Sequence, residues 1–228
     1  MPDWDLPRSP ASALLLVQLG REYDVDPERS LRGARLTLAQ LHDPATEVTA
    51  DQEMRIVGNL LAAVPDDVAL GVDAGMRYHL TTHGIWGFAL ASSSTLRSAI
   101  AIGVRYVDLT FALCRIYRDD TDTPARLMFD GSRVPSEVRR FFVERELASV
   151  VHLARQLLSE PDARFRVHFS HTAPPSTTPY EAAFGALPEF DATASYVELD
   201  DAVLDRPLPQ ADAHAAALAE KQCRELAR

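Results

Sequence analysis

Apolar residues recur every three or four positions through most of the first half of the chain, and at every second position only in short stretches of the second half. The first spacing is that of a helix buried on one face, the second that of a half-buried strand. Residues 11–23, ASALLLVQLGREY, carry a compact apolar cluster and predict a first helix. Asp26-Pro27 predicts an N-cap with proline in the first turn, opening a short helix to about Gly33. LTLAQL is a further helical turn, closed at Asp43-Pro44. Thr49 and Gln52 have capping-box spacing ahead of a stripe formed by Met54, Val57, Leu60, Leu61 and Val64, which Pro65 stops. Asp66-Asp67 predicts the cap of the next helix, through Met76. After a glycine-aromatic stretch, Ser93 or Ser94 predicts the cap of a helix from Thr95 to about Asp108.

The second half changes texture. FALCRIYR (111–118) and ARLMFD (125–130) flank a polar loop and predict a hairpin. Residues 136–160 predict a long amphipathic helix capped by Ser136, and Cys114 falls inside a strand as a small buried residue. RFRVHFSH (164–171) alternates, with Phe165, Val167 and Phe169 on one side. A short helix around TPYEAAFG, a strand near ASYVELD, a rigid LDRPLPQAD turn and a last helix capped by Asp212 complete the chain. The expected fold class is therefore α+β: a helical N-terminal half packed with a small antiparallel or mixed sheet and a long amphipathic helix.

Composition narrows the function. The 228 residues are 46% hydrophobic and 25% charged, an ordinary globular balance. A net charge of −10 repels phosphates, so this chain by itself is a poor nucleic-acid binder. Two cysteines without CxxC spacing fit a reduced, cytoplasmic setting, and the acidic, prolyl N-terminus is no signal peptide. No apolar run approaches the roughly 18 residues of a membrane span, so no membrane partner is expected.

No residue set assembles into a catalytic motif. His79 and His83 are four apart, but Thr81-Thr82 and Gly84 weaken a helix there and no third ligand accompanies them; no metal is expected. His168 and His171 point to opposite faces of a strand, and His152 reads as part of a solvated helix face. Asp119, Asp120 and Asp122 lack the glycine and terminal glutamate of a calcium loop. The run Ser92–Ser94 lacks the glycines of a nucleophile elbow, and neither GxGxxG nor the phosphate-loop pattern occurs, so no cofactor is expected. What remains is apolar and aromatic. Most such residues form core, but Tyr78, His79, Trp86, Phe88 and Tyr106 cluster around small residues that would let a ligand approach backbone, and are the candidate ligand-binding set.

Five motifs in order carry a family resemblance. Gly84, Gly87-Phe88, Ser92-Ser93, Thr95-Leu96, Ala99 and Arg105-Tyr106 form the first; VRRFFVERELASVVHLARQL is the second; Val167, Phe169, His171 and Pro174 of FRVHFSHTAPP the third; YEAAFG (180–185) the fourth; LDDAVLDRPLPQAD (199–212) the fifth. Together, over residues 11 to 226, they resemble the N-terminal effector domain of AraC-type transcriptional regulators, in the subgroup of ornithine-utilisation and mycobacterial virulence regulators. Residues 1–10 are expected to be a loose tail, and the resemblance implies one sensor domain over 11–228. That domain would bind a small-molecule effector, without catalysis, and act on DNA only through a helix-turn-helix half that would begin where this chain ends. It supplies no ligand residues position by position. A stand-alone binding protein and, behind it, an enzyme are the alternative readings. A homodimer stays open, although no heptad seam is visible.

Overall fold

The computed structural model describes residues 7–65, 68–121 and 123–227. In the first half, α1 (Ala11–Glu22), α2 (Pro27–Ser30), α3 (Leu38–Leu41), α4 (Ala50–Leu61) and α5 (Leu70–Gly75) lead through a 3-10 turn, Leu80–His83, into α6 (Gly84–Ala91) and α7 (Leu96–Arg105). The second half runs β1 (Arg115–Asp119), β2 (Ala125–Asp130), α8 (Ser136–Leu158), β3 (Val167–His168), α9 (Thr178–Phe184), β4 (Tyr196–Leu199), α10 (Asp201–Leu204) and α11 (Ala213–Leu226). Among the described residues the strands form one antiparallel sheet in the order β1-β2-β4-β3, so the α+β class holds and the antiparallel alternative is the one realised. The register puts Leu127 beside Val197 and Val197 beside Val167, one apolar row facing the helices.

Helix α8 is the centre of the molecule. Its length and its start at Ser136 match the sequence pattern, but it is buried more deeply than its apolar stripe implies, with Glu144, Arg145 and Glu146 all inside. The reason is α5. A Cβ on Gly75 would sit 2.3 Å from the Arg145 carbonyl oxygen, and one on Gly71 2.6 Å from that of Phe141, so backbone lies against backbone and the middle of α8 is covered.

Several local expectations are corrected. The glycine-aromatic stretch is helical: it forms α6, with Gly87 so close to the Leu80 carbonyl that no side chain fits. Neither Ser93 nor Ser94 caps α7. Thr95 does, in a capping box with Ser98, while the Ser92 and Ser93 hydroxyls donate back to the Phe88 and Ala89 carbonyls, both at 2.9 Å. Ser136 turns its hydroxyl to Glu137, and Pro135 occupies the cap position of α8. Strand β1 starts at Arg115 rather than Phe111, because the Leu113 and Cys114 amides donate to the Glu146 carboxylate at 2.6 and 3.1 Å instead of to a neighbouring strand. Cys114 is buried beside that strand, not within it. Strand β3 shrinks to two residues, since the Phe169 amide donates to the Glu189 carbonyl at 2.8 Å. The Thr49–Gln52 box, the Gly185 terminus of α9 (φ +75°) and the Asp212 cap of α11 stand as the sequence predicts. Asp66, Asp67 and Asp122 lie outside the described residues; α5 starts after Ala69. Of the expected tail, residues 1–6 are likewise outside them, whereas Arg8 pairs its backbone with Val48.

Candidate functional site

Between α6 and α7 on one side, α8 beneath and the inner sheet face on the other lies a cavity of about 460 Å³. That is within the usual range for small-molecule sites. Its walls are apolar: Leu90, Ile100 and Val104 from α6 and α7, Val150 and Leu157 from α8, Leu127 and Val197 from the sheet. Exposed Thr123, Arg164, Arg166 and Asp201 form its rim, so it opens to solvent at the sheet end.

The other end is sealed and polar. Arg145, 2% exposed, donates from Nη1 to Glu53 and from Nη2 to the Phe111 carbonyl (2.7 Å) and Glu146 (3.2 Å). Its guanidinium lies over the Phe142 and Tyr78 rings, 4.6 and 5.6 Å from their centroids. Burial pushes the Glu146 carboxyl up, against the pull of Arg145 and of the Leu113 and Cys114 amides. The Tyr78 hydroxyl pairs with Ser12 at 2.6 Å, and burial raises its pKa to about 12. The Trp86 indole N–H donates to the Gly103 carbonyl at 3.3 Å. Thr110 donates to the Val107 carbonyl and accepts from the Ala112 amide.

His83 differs from all of these. Its ring packs among Trp86, Phe111 and Tyr78, with centroids 5.0, 5.5 and 5.9 Å away. Both ring nitrogens are buried and neither has a hydrogen-bond partner. Burial, aided by the nearby Arg145 charge, depresses its pKa to about 4, so the ring is neutral at physiological pH.

Of the five residues selected from sequence, Tyr78 and Trp86 line the cavity and His79, Phe88 and Tyr106 do not. Phe88 follows Trp86 by two helical positions and is turned outward, 51% exposed. His79 heads the 3-10 turn and meets Gln156 at 2.9 Å, and Tyr106 points its hydroxyl at Glu220 of α11, 3.4 Å away. His79 and His83 therefore do not converge, and no group of three metal-ligating side chains occurs among the described residues. His152 is half-buried against His79 rather than on a solvated face. The charged trio Glu53, Arg145 and Glu146 escaped sequence reading because a charge at a helical position looks like solvated surface.

The fold and cavity define a class: an α+β domain that encloses a small-molecule-sized apolar chamber. The chain belongs to the family described as the arabinose-binding domain of AraC transcription regulators, N-terminal, whose model matches residues 25–208. An uncharacterized HTH-type transcriptional regulator of Mycobacterium tuberculosis is 31% identical over 213 residues, 92% of this chain and 62% of that protein. The ornithine utilization regulator of Pseudomonas aeruginosa is 26% identical over 216 residues, 95% of this chain and 63% of that one. In three dimensions the chain is similar to the crystal structure of transcriptional regulator CdpR from Pseudomonas aeruginosa, with a TM-score of 0.63 and 18% identity over 92% of this chain and 64% of that one, a likeness of fold. The chain thus spans under two thirds of the length of these relatives. No helix among the described residues is long and apolar enough to cross a membrane.

Proposed function

We propose that this chain is the effector-sensing part of an AraC-type regulator. It takes a small molecule into the cavity between α7, α8 and the sheet and passes the binding event to a helix-turn-helix half of the kind its relatives' names describe. The observation that carries the reading is the chamber itself: apolar walls, an open rim and a sealed polar end, which is how small-molecule sites are usually built. A binding role is favoured over catalysis because the carboxylates at the sealed end are tied to Arg145 and to backbone amides, which leaves His83 without an acid or base to work with.

The route outward runs through α6 and α11. Trp86 lines the cavity from α6, and α11 packs on α6 through buried Ala219 and Cys223. The start of α11 is tied to the same corner: the Leu208 and Asp212 amides donate to the Ser94 and Ser92 carbonyls at 3.1 and 3.0 Å. A ligand that favours one position of α6 therefore biases α11. The test is native mass spectrometry of the purified chain for a co-purifying small molecule, repeated on Val150→Phe, which fills the cavity from its α8 wall. Capture by the parent and loss in the variant, with an unchanged melting temperature, is the expected result. Equal capture by both would remove the cavity from the reading.

A further inference from the structure

Resting on the reading of this cavity as the effector site, we infer that the effector is a mainly apolar molecule whose buried end is uncharged and carries a polar group that hydrogen-bonds to His83. The argument is one of elimination at the sealed end. Tyr78, Trp86, Thr110, Arg145 and Glu146 each have partners within the protein. His83 alone of these lining groups brings two buried, unpartnered nitrogens. Leaving such atoms unpaired costs free energy, and a ligand that pairs one of them recovers it. A neutral imidazole offers one N–H donor and one acceptor, so a hydroxyl or a carbonyl both suit it.

The charges at this end exclude ionic head groups. Arg145 is neutralised by Glu53 and Glu146, which leaves no cation for a carboxylate or phosphate. An ammonium group beside His83 would be buried without a counter-ion, since Glu53 and Glu146 are already bonded to Arg145 and, for Glu146, to the Leu113 and Cys114 amides. A free sugar fits no better. Inside the charged rim, Leu90, Ile100, Val104, Val150 and Leu127 leave its several hydroxyls few partners beyond Ser149, and each hydroxyl buried without one is unfavourable. The arabinose in the family's description therefore does not match the lining of this member.

The experiment uses four probes below their aggregation concentrations: 1-decanol, decanoate, decylamine and arabinose. Binding is read from Trp86 emission in a Trp4→Phe background, which leaves one tryptophan of the two. Decanol should bind at least ~10-fold more tightly than decanoate or decylamine, because burying either charge unpaired is costly, and arabinose should not bind. His83→Phe should weaken decanol about tenfold, the order of one hydrogen bond in a dry site, while His83→Gln, which keeps a donor and an acceptor, should retain most of the affinity. Circular dichroism melts of both variants separate lost contact from lost fold. Tighter binding of decanoate, decylamine or arabinose, or equal decanol affinity in His83→Phe and the parent, would overturn the inference while leaving the cavity as a site. Failure of all four probes, together with failure of an apolar dye to enter, would sink the cavity reading and this inference with it.

Discussion

His83 makes a pH signature at the scale of a single residue. The unfolded chain takes up its proton near pH 6.5, the folded one only near 4. Between those values the unfolded state binds more protons, so stability rises with pH through the window, is fully present above about 6.5 and is lost as the pH falls toward 4. The effect is on the order of 3 kcal/mol. In urea unfolding at pH 4.5 and 7, His83→Gln should show a smaller stability difference than the parent, since the carboxylates titrate alike in both; an identical difference would refute the assignment. Arg145 predicts a larger loss. Arg145→Met leaves the Glu53 and Glu146 carboxylates buried without their cation, and unfolding should become easier by about 3–5 kcal/mol. Adding Glu53→Gln and Glu146→Gln to it should recover part of that. Arg145 was not legible as interior. Hydrophobic periodicity marks what must leave water and is silent about charges that leave it in company.

At the scale of elements, caps and stripes were readable where local chemistry decides. The Thr49–Gln52 box and the stripe of α4 involve neighbours along the chain and appear as spelled. Helix α6 was not readable, because GIWGFALA is apolar or glycine at every position and has no polar face to set a period. Without that helix, Trp86 and Phe88 looked like one aromatic cluster. As a helix, the stretch sends them roughly 200° apart, one into the cavity and one into solvent. The α7 box was missed for a simpler reason: Ser98 stands where the usual signature has Glu or Gln. Thr95→Ala should cost about 1 kcal/mol in thermal or urea unfolding, as expected for a lost cap. Gly75→Ala should cost more, about 1–3 kcal/mol, because the new methyl meets the Arg145 carbonyl and the α8 backbone has no room to retreat.

At the scale of the whole molecule, the five sequence motifs turn out to be mutual contacts. The LDRPLPQAD turn docks on the serine corner, with Thr95 bridged to Pro207. Phe169 of the FRVHFSH segment packs on Tyr180 and Phe184 of YEAAFG, and the Tyr180 hydroxyl donates to Glu144 of α8. The motifs therefore read out a scaffold, which is why they disclosed the family and not the ligand. The cavity is instead walled by ordinary Leu, Ile and Val that come together only through tertiary packing. A ligand held at 100 times its Kd should add about 2.7 kcal/mol to stability. In hydrogen exchange, the added protection should extend from α6 and α7 to α11, and α11 unchanged by a bound ligand would break the proposed coupling.

The glycine-lined crossing of α5 on α8 has a mechanical consequence. Two backbones in direct contact have no side chains to rearrange between them, so the α8 wall of the chamber is a fixed jaw. The opposite jaw, α6 and α7, has no such seat on α8: Gly87 presses on Leu80 of the turn just before α6, and Gly103 faces the Trp86 and Leu90 side chains of α6. Under the proposed coupling a guest wedged between jaws of unequal stiffness would displace the softer one, and that is the one on which the last helix rides.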